Sequence, residues 1–381
     1  MRIVIAADSF KETLSSKEVG EAISTGLKRS IPSSTITVRP MADGGEGTLA
    51  ALIDASHGKY IYKNVTGPLG NSLEAVYGIS GNEKEAFIEI ASASGIHLTN
   101  KKSKDINIAT TYGTGELILD ALNKGIRSFI IGIGGSGTND GGAGMLQALG
   151  ASFLDSSGKE LSFGGSSLKQ LARIDRTNFD KRIENSFFRI ACDVDNPLTG
   201  ELGASAVYGP QKGAVPADVI NLDLALAHYA GMVKSTFGIE IDNIPGAGAA
   251  GGMGAAFLGF FPARLEKGAV IVSEVTKLKS YLEQADLVIT GEGGINNQSI
   301  FGKTPVYVAQ LTKAVSPSIP VIAVCGSIGE NYEAVFDAGI DAVFSTISEI
   351  TSFEELKKNS GNNVVQTAEN IGRLIQLNIH G

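Results

Sequence analysis

Glycine-rich loops that carry acidic and hydroxyl side chains recur along this chain, and residues 132–144 form the richest of them. This loop contains seven glycines together with Ser136, Thr138, Asn139 and Asp140, and it directly follows an apolar run. Glycine lets backbone N–H groups approach a phosphate closely, and a following helix adds the positive end of its dipole. The aspartate supplies a group that can hold a cation or accept a proton. Within this loop we expect Gly134, Gly135 and the four polar residues to bind substrate or nucleotide.

Six further loops are rich in small residues, and five of them also carry charged side chains. They are residues 6–11 with Asp8 and Lys11, 41–48 with Asp43, 191–198 with Asp193, 209–213 with Lys212, 246–252 with Gly248 and Gly251, and 290–298 with Glu292. Phosphoryl transfer uses such parts, because Mg²⁺ bridges phosphate oxygens, lysine neutralises developing charge and an aspartate accepts the hydroxyl proton. The set indicates an enzyme that acts on nucleotides or phosphates.

Several of these residues also have a structural interpretation. Asp43 and Asp140 each precede a glycine, and turns or helix caps are the commoner role of such pairs. Lys303 is either a solvated residue at a helix start or part of a site, and the sequence does not separate the two. A binding role is favoured for Lys212, which lies between glycines, and for at least one of Asp193 and Asp195.

A dinucleotide-binding interpretation competes with phosphoryl transfer. Residues 132–137 match the fingerprint after a strand, with Asp155 at a suitable distance, and residues 246–251 match it as well. A lone fingerprint is weak evidence in a chain with 48 glycines. It also leaves the acidic loops without a role. Residues 301–304 are similar to the end of a phosphate-binding P-loop, but position 297 is Asn where the first glycine is required.

Composition excludes other classes of function. The formal charge of −8 and the absence of a basic run argue against nucleic-acid binding. The sequence shows two cysteines in apolar runs and no secretory signal, which predicts a reduced, cytoplasmic protein. Residues 243–263 carry no charge, yet their glycines and prolines predict a loop and a small-residue helix rather than a membrane span. The four histidines are scattered and do not predict a metal site.

The order of apolar runs predicts an α/β fold. A strand at 2–7, a helix at 16–29, a strand at 36–39 and a helix at 47–55 form a βαβα start. Strands at 59–65, 73–79 and 86–91 then suit an antiparallel meander. A mixed region follows, with helices at 113–124 and 140–149 and strands at 128–133 and 188–192. Parallel-type strands return at 285–290, 319–325 and 341–344.

We therefore predict one doubly wound parallel domain formed by both chain ends, residues 1–60 and 285–381, and an inserted mixed α/β domain of residues 61–284. Asp8, Asp43 and Glu292 follow strands of the parallel sheet, so they are expected at one edge. We expect Asp8, Lys11 and Asp193 to be catalytic and Asp43 and Glu292 to hold a metal, in a cleft between the domains.

With these motifs identified, the chain resembles the bacterial glycerate kinase family over nearly its whole length. The resemblance is carried by residues 8–11, 42–48, 66–70, 113–116, 132–135, 138–144, 192–194, 196–198, 209–214, 245–254 and 290–293. It implies a flavodoxin-like domain with a restriction-endonuclease-like insertion, and ATP-dependent phosphorylation of D-glycerate with Mg²⁺. The favoured product is 2-phosphoglycerate.

The chain departs from the family at one motif. Members that this chain resembles read Gly-Glu-Gly-Arg-Ile-Asp, whereas this sequence has Gly294 in place of the Arg and Asn296 in place of the Asp. An active kinase, a kinase that forms 3-phosphoglycerate, an NAD(P)-dependent oxidoreductase and a catalytically impaired binding homologue all stay open at this point. The expected partners are small molecules, with no nucleic acid and no membrane, and the sequence leaves the oligomeric state open.

Overall fold

The computed structural model describes residues 1–99, 105–347, 349 and 352–377. The chain divides into two compact units, one formed by Met1–Ser56 with Ala269–Gly381 and the other by His57–Gly268. Its strands are β1 Arg2–Ala7, β2 Thr35–Val38, β3 Lys59–Thr66, β4 Ser72–Ile79, β5 Glu85–Glu89, β6 Ser128–Gly132, β7 Ser152–Leu154, β8 Arg173–Asp175, β9 Phe187–Ala191, β10 Ala263–Glu266, β11 Leu287–Ile295, β12 Val321–Ile328 and β13 Ala342–Ser345.

The α-helices are α1 Ser16–Ser30, α2 Thr48–Ser56, α3 Ala91–Ser94, α4 Tyr112–Asn123, α5 Ala143–Ala148, α6 Ala204–Tyr208, α7 Pro216–Phe237, α8 Ala249–Phe260, α9 Gly268–Val275, α10 Leu278–Leu282, α11 Thr304–Val315, α12 Ala334–Asp337 and α13 Phe353–Gln376. Short 3₁₀ helices cover Ile96–Leu98, Gly165–Gln170, Lys181–Asn185, Pro210–Lys212 and Asn297–Phe301. Among the residues described, no helix is long and apolar enough to cross a membrane.

The first unit is built on a parallel sheet with the strand order β2-β1-β11-β12-β13. Every neighbouring pair in it is parallel. Counted within the unit, the order is 2-1-3-4-5, which is the flavodoxin-like doubly wound arrangement. In such sheets the chain reverses its direction of winding between the first and third strands, and ligands bind beyond the carboxyl ends of those strands. Here these strands are β1 and β11.

Helices α1 and α13 pack together and cover one part of this sheet. A capping box starts α1, because the Ser15 hydroxyl accepts the Glu18 N–H and a Glu18 carboxylate oxygen accepts the Ser15 N–H. Val19, Ile23 and Leu27 form its buried face together with residues of β1 and α13. A Cβ at Gly26 would lie 2.2 Å from the Val365 carbonyl oxygen, so glycine allows the close approach of α13.

The second unit contains a mixed sheet with the order β10-β9-β6-β5-β4-β3. The antiparallel meander predicted for its first three strands is confirmed, since β3 pairs with β4 and β4 with β5 in antiparallel register. The remaining pairs in this sheet are parallel. The predicted fold class, a parallel sheet from both chain ends with a mixed α/β region in between, is confirmed.

Glycine explains two of the boundaries that the sequence predicts wrongly. The helix expected at 140–149 begins only at Ala143, because Gly141 and Gly142 have φ values of 63° and 75°. Strand β11 was expected to end at 290 but extends to Ile295, so Glu292 lies within the strand instead of after it. The sequence Thr-Gly-Glu-Gly-Gly is typical of a loop, yet here it pairs with β12.

Two buried tyrosines of the second unit allow a matched test of one hydrogen bond. The Tyr77 hydroxyl donates to an Asp120 carboxylate oxygen at 2.7 Å, whereas the equally buried Tyr229 hydroxyl has no hydrogen-bond partner among the described residues. We predict that Tyr77→Phe lowers the free energy of unfolding by about 1–2 kcal/mol, because it removes a bond to a charged acceptor. Tyr229→Phe should be neutral or stabilising. Urea denaturation measures both, and equal losses in the two variants would contradict the prediction.

Candidate active site

The chain places Asp8 and Glu292 side by side where the sheet of the first unit changes its winding direction. Ala7 pairs with Gly291 in the register of β1 and β11. Asp8 directly follows Ala7, and Glu292 directly follows Gly291. The Asp8 N–H donates to the Gly291 carbonyl at 2.8 Å, which continues the ladder by one bond. Both carboxyl groups therefore lie at the carboxyl edge, the position at which doubly wound sheets bind ligands.

Asp43 reaches the same edge because the chain stays alongside β1 after β2 ends. The Met41 N–H donates to the Ala7 carbonyl at 2.9 Å, and the Arg39 N–H donates to the Ile5 carbonyl at 2.7 Å. The Asp43 carboxylate accepts the Gly45 N–H at 3.1 Å, which fixes the following turn. Asp43 therefore stabilises a turn, as its Asp-Gly pair predicts, and also lies at the sheet edge where the sequence places the candidate site.

Asp8 is the most constrained acid of this group. Only 6% of it is exposed. Its Oδ1 accepts the Ser9 N–H at 2.6 Å and its Oδ2 accepts the Thr304 hydroxyl at 2.7 Å. Burial, and then the charge of Asp43, raise the pKa of Asp8 to about 7, and the hydrogen bonds and the charge of Lys11 only partly oppose them. This edge of the sheet therefore carries a surplus of negative charge.

Glu292 is held by two groups from the segment that follows β11. Its Oε1 accepts the Ser299 hydroxyl at 2.7 Å, and its Oε2 lies 3.5 Å from the Lys303 ammonium nitrogen. Burial raises the pKa of Glu292 above its usual range, and these two neighbours act in the opposite direction. Lys303, which the sequence left open between surface and site, lies beside a site carboxylate at the start of α11.

These groups line a cavity of about 320 Å³ in the first unit. The lining residues are Asp8, Ser9, Lys11, Asp43, Glu292, Gly293, Gly294, Lys303 and Ser327. Three carboxylates thus meet two ammonium groups. Among the described residues, no set of three or more His, Cys, Asp or Glu side chains is arranged to hold a metal by itself. Mg²⁺ is usually bound by one or two carboxylates together with water and phosphate oxygens, and the donors present here fit that mode.

The glycine-rich loop of the second unit is organised around Asp140. This residue is fully buried, and its carboxylate accepts the N–H and the hydroxyl of Thr111, both at 2.9 Å, and the N–H groups of Gly142 and Gly144. Burial raises the pKa of Asp140, while these four hydrogen bonds oppose the shift. The contacts make Asp140 the anchor of its own loop, and its predicted contact with substrate stays a prediction.

Lys212, at the end of the 3₁₀ helix Pro210–Lys212, packs against this loop and is only 3% exposed. Its ammonium group donates to the Ser136 hydroxyl and to the Thr138 carbonyl, each at 2.8 Å. Burial lowers the pKa of Lys212 to about 7, and the charge of Asp140 only partly opposes this shift. The Asn139 side-chain amide donates to the Ser205 hydroxyl at 2.9 Å, while its side-chain oxygen Oδ1 and the Thr138 hydroxyl are buried with no hydrogen-bond partner in the part of the chain that the structure describes.

The second glycine-rich segment packs against this loop. A Cβ at Gly251 would lie 2.1 Å from the Thr138 carbonyl oxygen, and the Gly141 N–H donates to the Gly251 carbonyl at 2.9 Å. A Cβ at Gly248 would lie 2.1 Å from the Pro197 carbonyl oxygen. Both glycines are therefore required by packing, whether or not they also contact a ligand.

The other predicted residues of the second unit lie near the surface. Asp193 is exposed, and its carboxylate accepts the Gly268 N–H at 3.2 Å. Gly135 is exposed with a φ of 69°, and Gly134 is half-buried. Their predicted roles in catalysis and binding stay predictions.

The dinucleotide alternative at residues 132–137 lacks the geometry that this motif requires. The fingerprint needs a helix that opens within the motif. Here the next helix, α5, starts at Ala143. The carboxylate of Asp155 is bonded within its own turn, where it accepts N–H groups of Ser157 and Lys159. This geometry favours the phosphoryl-transfer interpretation.

Sequence reasoning missed the hydroxyl groups that hold the acids. Thr304, Ser299 and Thr111 donate to Asp8, Glu292 and Asp140 respectively. In the sequence, Thr304 is only the last residue of an incomplete P-loop motif. Its position at the first residue of a helix that follows a parallel strand was a signal that could have identified it.

Comparisons with known proteins agree with the fold and identify the family. A model described as "Glycerate kinase family" matches residues 3–376. The chain is 48% identical to a glycerate kinase of Haemophilus influenzae, with 100% of both chains covered, and 46% identical to a glycerate 2-kinase of Escherichia coli, with 99% of this chain and 98% of the relative covered. A crystal structure from Salmonella typhimurium LT2, of a protein assigned as glycerate kinase 2, aligns with a TM-score of 0.90 at 46% identity, covering 99% of this chain and 98% of that one.

The fold and the acidic edge are thus those of a doubly wound α/β enzyme. The chain belongs to the glycerate kinase family.

The raised pKa of Asp8 predicts a pH-dependent effect of its removal. An unperturbed Asp has a pKa of about 3.9, so folding raises the value and the charged form destabilises the fold. Wild-type stability should therefore fall as pH rises from about 4 to about 7. We predict that Asp8→Asn raises the melting temperature at pH 8 in metal-free buffer and changes it much less near pH 4, where Asp8 is protonated in the folded state and about half protonated in the unfolded chain.

Asp54→Asn is the control for this experiment, because Asp54 is a carboxyl group of the same unit paired with Lys17 at the surface. It should show no stabilisation at pH 8. An Asp8→Asn variant that melts at or below the wild-type temperature at pH 8 would contradict the electrostatic account.

Proposed function

We propose that this protein is a MgATP-dependent kinase that phosphorylates D-glycerate, with 2-phosphoglycerate as the product. The observation that carries the proposal is the meeting of Asp8, Asp43 and Glu292 with Lys11 and Lys303 around one cavity at the carboxyl edge of β1 and β11. Family membership supports the reaction, and the name of the E. coli relative, glycerate 2-kinase, supports the choice of product.

Asp8 is proposed as the general base. Its pKa of about 7 suits a group that takes a proton from a substrate hydroxyl near neutral pH. Lys11 lines the same cavity and carries a charge that is felt at Asp8, so it is placed to neutralise a phosphoryl oxygen or the substrate carboxylate. Asp43 and Glu292 would hold Mg²⁺, which when bound neutralises phosphate charge and orients the phosphoryl group.

The loop of Ser136, Thr138, Asn139 and Asp140 is proposed to bind nucleotide phosphates, with Gly134 and Gly135 presenting the backbone. Lys212 supports this assignment, because its buried ammonium group donates to neutral oxygens, the charge of Asp140 only partly offsets its burial, and an anion would stabilise its charge further. Gly248 and Gly251 keep the neighbouring segment close to this loop. Asp193 is proposed as a further catalytic residue. The two cysteines are free thiols, which supports a cytoplasmic location.

A phosphorus NMR assay with ATP, Mg²⁺ and D-glycerate tests the activity and the site of phosphorylation together. We expect a signal for 2-phosphoglycerate and conversion of ATP to ADP, with L-glycerate as the stereochemical control. A signal for 3-phosphoglycerate would correct the product. ATP left unchanged by folded protein would contradict the kinase proposal and favour an impaired binding homologue.

Substitution of Lys11 tests the proposed charge neutralisation. We predict that Lys11→Ala lowers kcat by roughly 30- to 1000-fold, since one charge-assisted contact in a transition state contributes about 2–4 kcal/mol. The melting temperature should change little because Lys11 is exposed. Lys358→Ala removes an exposed lysine of α13 in the same unit and serves as the control. Steady-state kinetics of Lys11→Ala equal to those of the control would assign Lys11 to the surface.

Restoration of the two family charges tests the departure at positions 294 and 296. A Cβ at Gly294 would lie 3.1 Å from the Ser327 hydroxyl oxygen, an exposed side chain that can rotate away, and Gly294 lines the cavity. The Asn296 side chain accepts the Gln298 N–H at 2.9 Å, and an aspartate can keep this bond. We predict that Gly294→Arg with Asn296→Asp lowers the KM for ATP or glycerate, or raises kcat, and that Gly294→Arg alone helps less.

Gly294→Arg with Asn297→Asp is the matched control, since it adds the same charges but places the acid on the next, exposed residue. A folded double variant whose kinetics equal the wild type or the control would place positions 294 and 296 outside the catalytic charge network.

A further inference from the structure

One short segment, residues 296–304, supplies hydrogen-bond donors to both acids of the β1–β11 edge. The Ser299 hydroxyl donates to Glu292 at 2.7 Å, and the Thr304 hydroxyl donates to Asp8 at 2.7 Å. Ser299 is fully buried and Thr304 is 1% exposed, so solvent does not compete for either bond. Between them, Lys303 adds a charge 3.5 Å from Glu292.

The segment is itself fixed in place, which a positioning element requires. The Asn296 side chain caps the 3₁₀ helix Asn297–Phe301. The Ser299 hydroxyl accepts the Asn296 N–H at 3.3 Å while it donates to Glu292, and the Asn297 N–H donates to the Glu330 carbonyl at 3.2 Å. Thr304 is the first residue of the 12-residue helix α11, and Pro305 is the second. The proline fixes the start of the helix, so the backbone position of Thr304 is well defined.

The geometry matters because a hydroxyl donor orients a carboxylate without removing its charge. Each bond occupies one oxygen of its acid and fixes the plane of the carboxyl group. In Asp8 the other oxygen is held by the Ser9 N–H at 2.6 Å, so both oxygens have defined directions. A base must be held in this way to accept a proton along one line.

We propose that Thr304 and Ser299 are positioning residues of the kinase reaction, which hold the carboxylates of Asp8 and Glu292 in their reactive orientations. The inference rests on the proposed function. It adds two side chains that act through the acids and do not touch substrate.

The principal test compares Thr304→Val with Thr304→Ser in the ATP and D-glycerate assay. Valine keeps the shape of threonine but has no donor, so kcat should fall about 10- to 100-fold with KM values changed less than about threefold. Serine restores the hydroxyl and should return kcat to within about threefold of the wild type. Thr312→Val is the matched control, because Thr312 lies on the same helix, is fully buried and donates to the backbone carbonyl of Val308.

A double-substitution cycle tests whether Thr304 acts through Asp8. In an Asp8→Asn background, Thr304→Val should cause no further loss of kcat, because the residue through which it acts is already altered. Full multiplication of the two losses would overturn the positioning role. Ser299→Ala should likewise lower kcat in the wild type and not in Glu292→Gln. Its control is Ser30→Ala, a buried serine of the same unit whose hydroxyl donates to the Leu27 carbonyl.

The outcomes separate the two proposals. Suppose that the wild type turns over substrate. An unchanged kcat in Thr304→Val, or a kcat that Thr304→Ser does not restore, would then overturn the positioning inference alone. A folded wild type without turnover would overturn the proposed function and this inference together. If Thr304→Val does not fold, the comparison of Thr304→Ser with Ser299→Ala decides: near-normal kcat in both would contradict the inference.

Discussion

The burial of one carboxyl group beside a second one is the constraint on which the candidate site of the first unit depends. Asp8 is almost fully enclosed, and Asp43 shares its edge of the sheet because the chain continues to pair with β1 after β2 ends. Desolvation and repulsion both disfavour the charged state of Asp8. A fold selected for stability alone would remove that carboxyl group. Its presence, at the edge where doubly wound sheets bind ligands, is what a site for a cation and a proton-accepting base requires.

The second unit contains a buried cation. The hydrogen-bond acceptors of the Lys212 ammonium group are neutral oxygens; burial lowers its pKa, and the charge of Asp140 opposes the shift. Asp140 fixes the loop that Lys212 contacts, because its carboxylate accepts two N–H groups of this loop and two hydrogen bonds from Thr111. An anchored loop with a buried cation, whose charge Asp140 only partly offsets, is suited to an anion, as an anchored acidic edge is suited to a metal. Phosphoryl transfer between ATP and a hydroxy acid needs both kinds of group, and this need links the two observations chemically.

Much of the first unit could be predicted from the sequence because its signals are local. Apolar runs that end in Asp8 or lead to Asp43 indicate parallel strands with polar carboxyl ends, and the structure places both residues at one edge. Glu292 was found for the same reason, although the length of β11 was missed because its glycines suggested a loop. Thr304 and Ser299 could not be predicted in their roles. They contact acids that are 296 and 7 residues away, and the first of these contacts exists only after the sheet has formed. Asp140 shows the reverse case, since a polar residue in a glycine-rich loop is typical of a ligand site, yet its carboxylate already accepts hydrogen bonds from Gly142, Gly144 and Thr111.

The central claim is that the Asp8, Asp43 and Glu292 edge receives the metal and the reacting hydroxyl. The most direct measurement is a crystal structure with Mn²⁺, a non-hydrolysable ATP analogue and D-glycerate, with the metal located by anomalous scattering. The account predicts a manganese ion bonded to a carboxylate oxygen of Asp43 or Glu292 and to the phosphates, with a glycerate hydroxyl within hydrogen-bond distance of Asp8. A metal and phosphates bound elsewhere, with these three carboxylates free of ligand contacts, would contradict it.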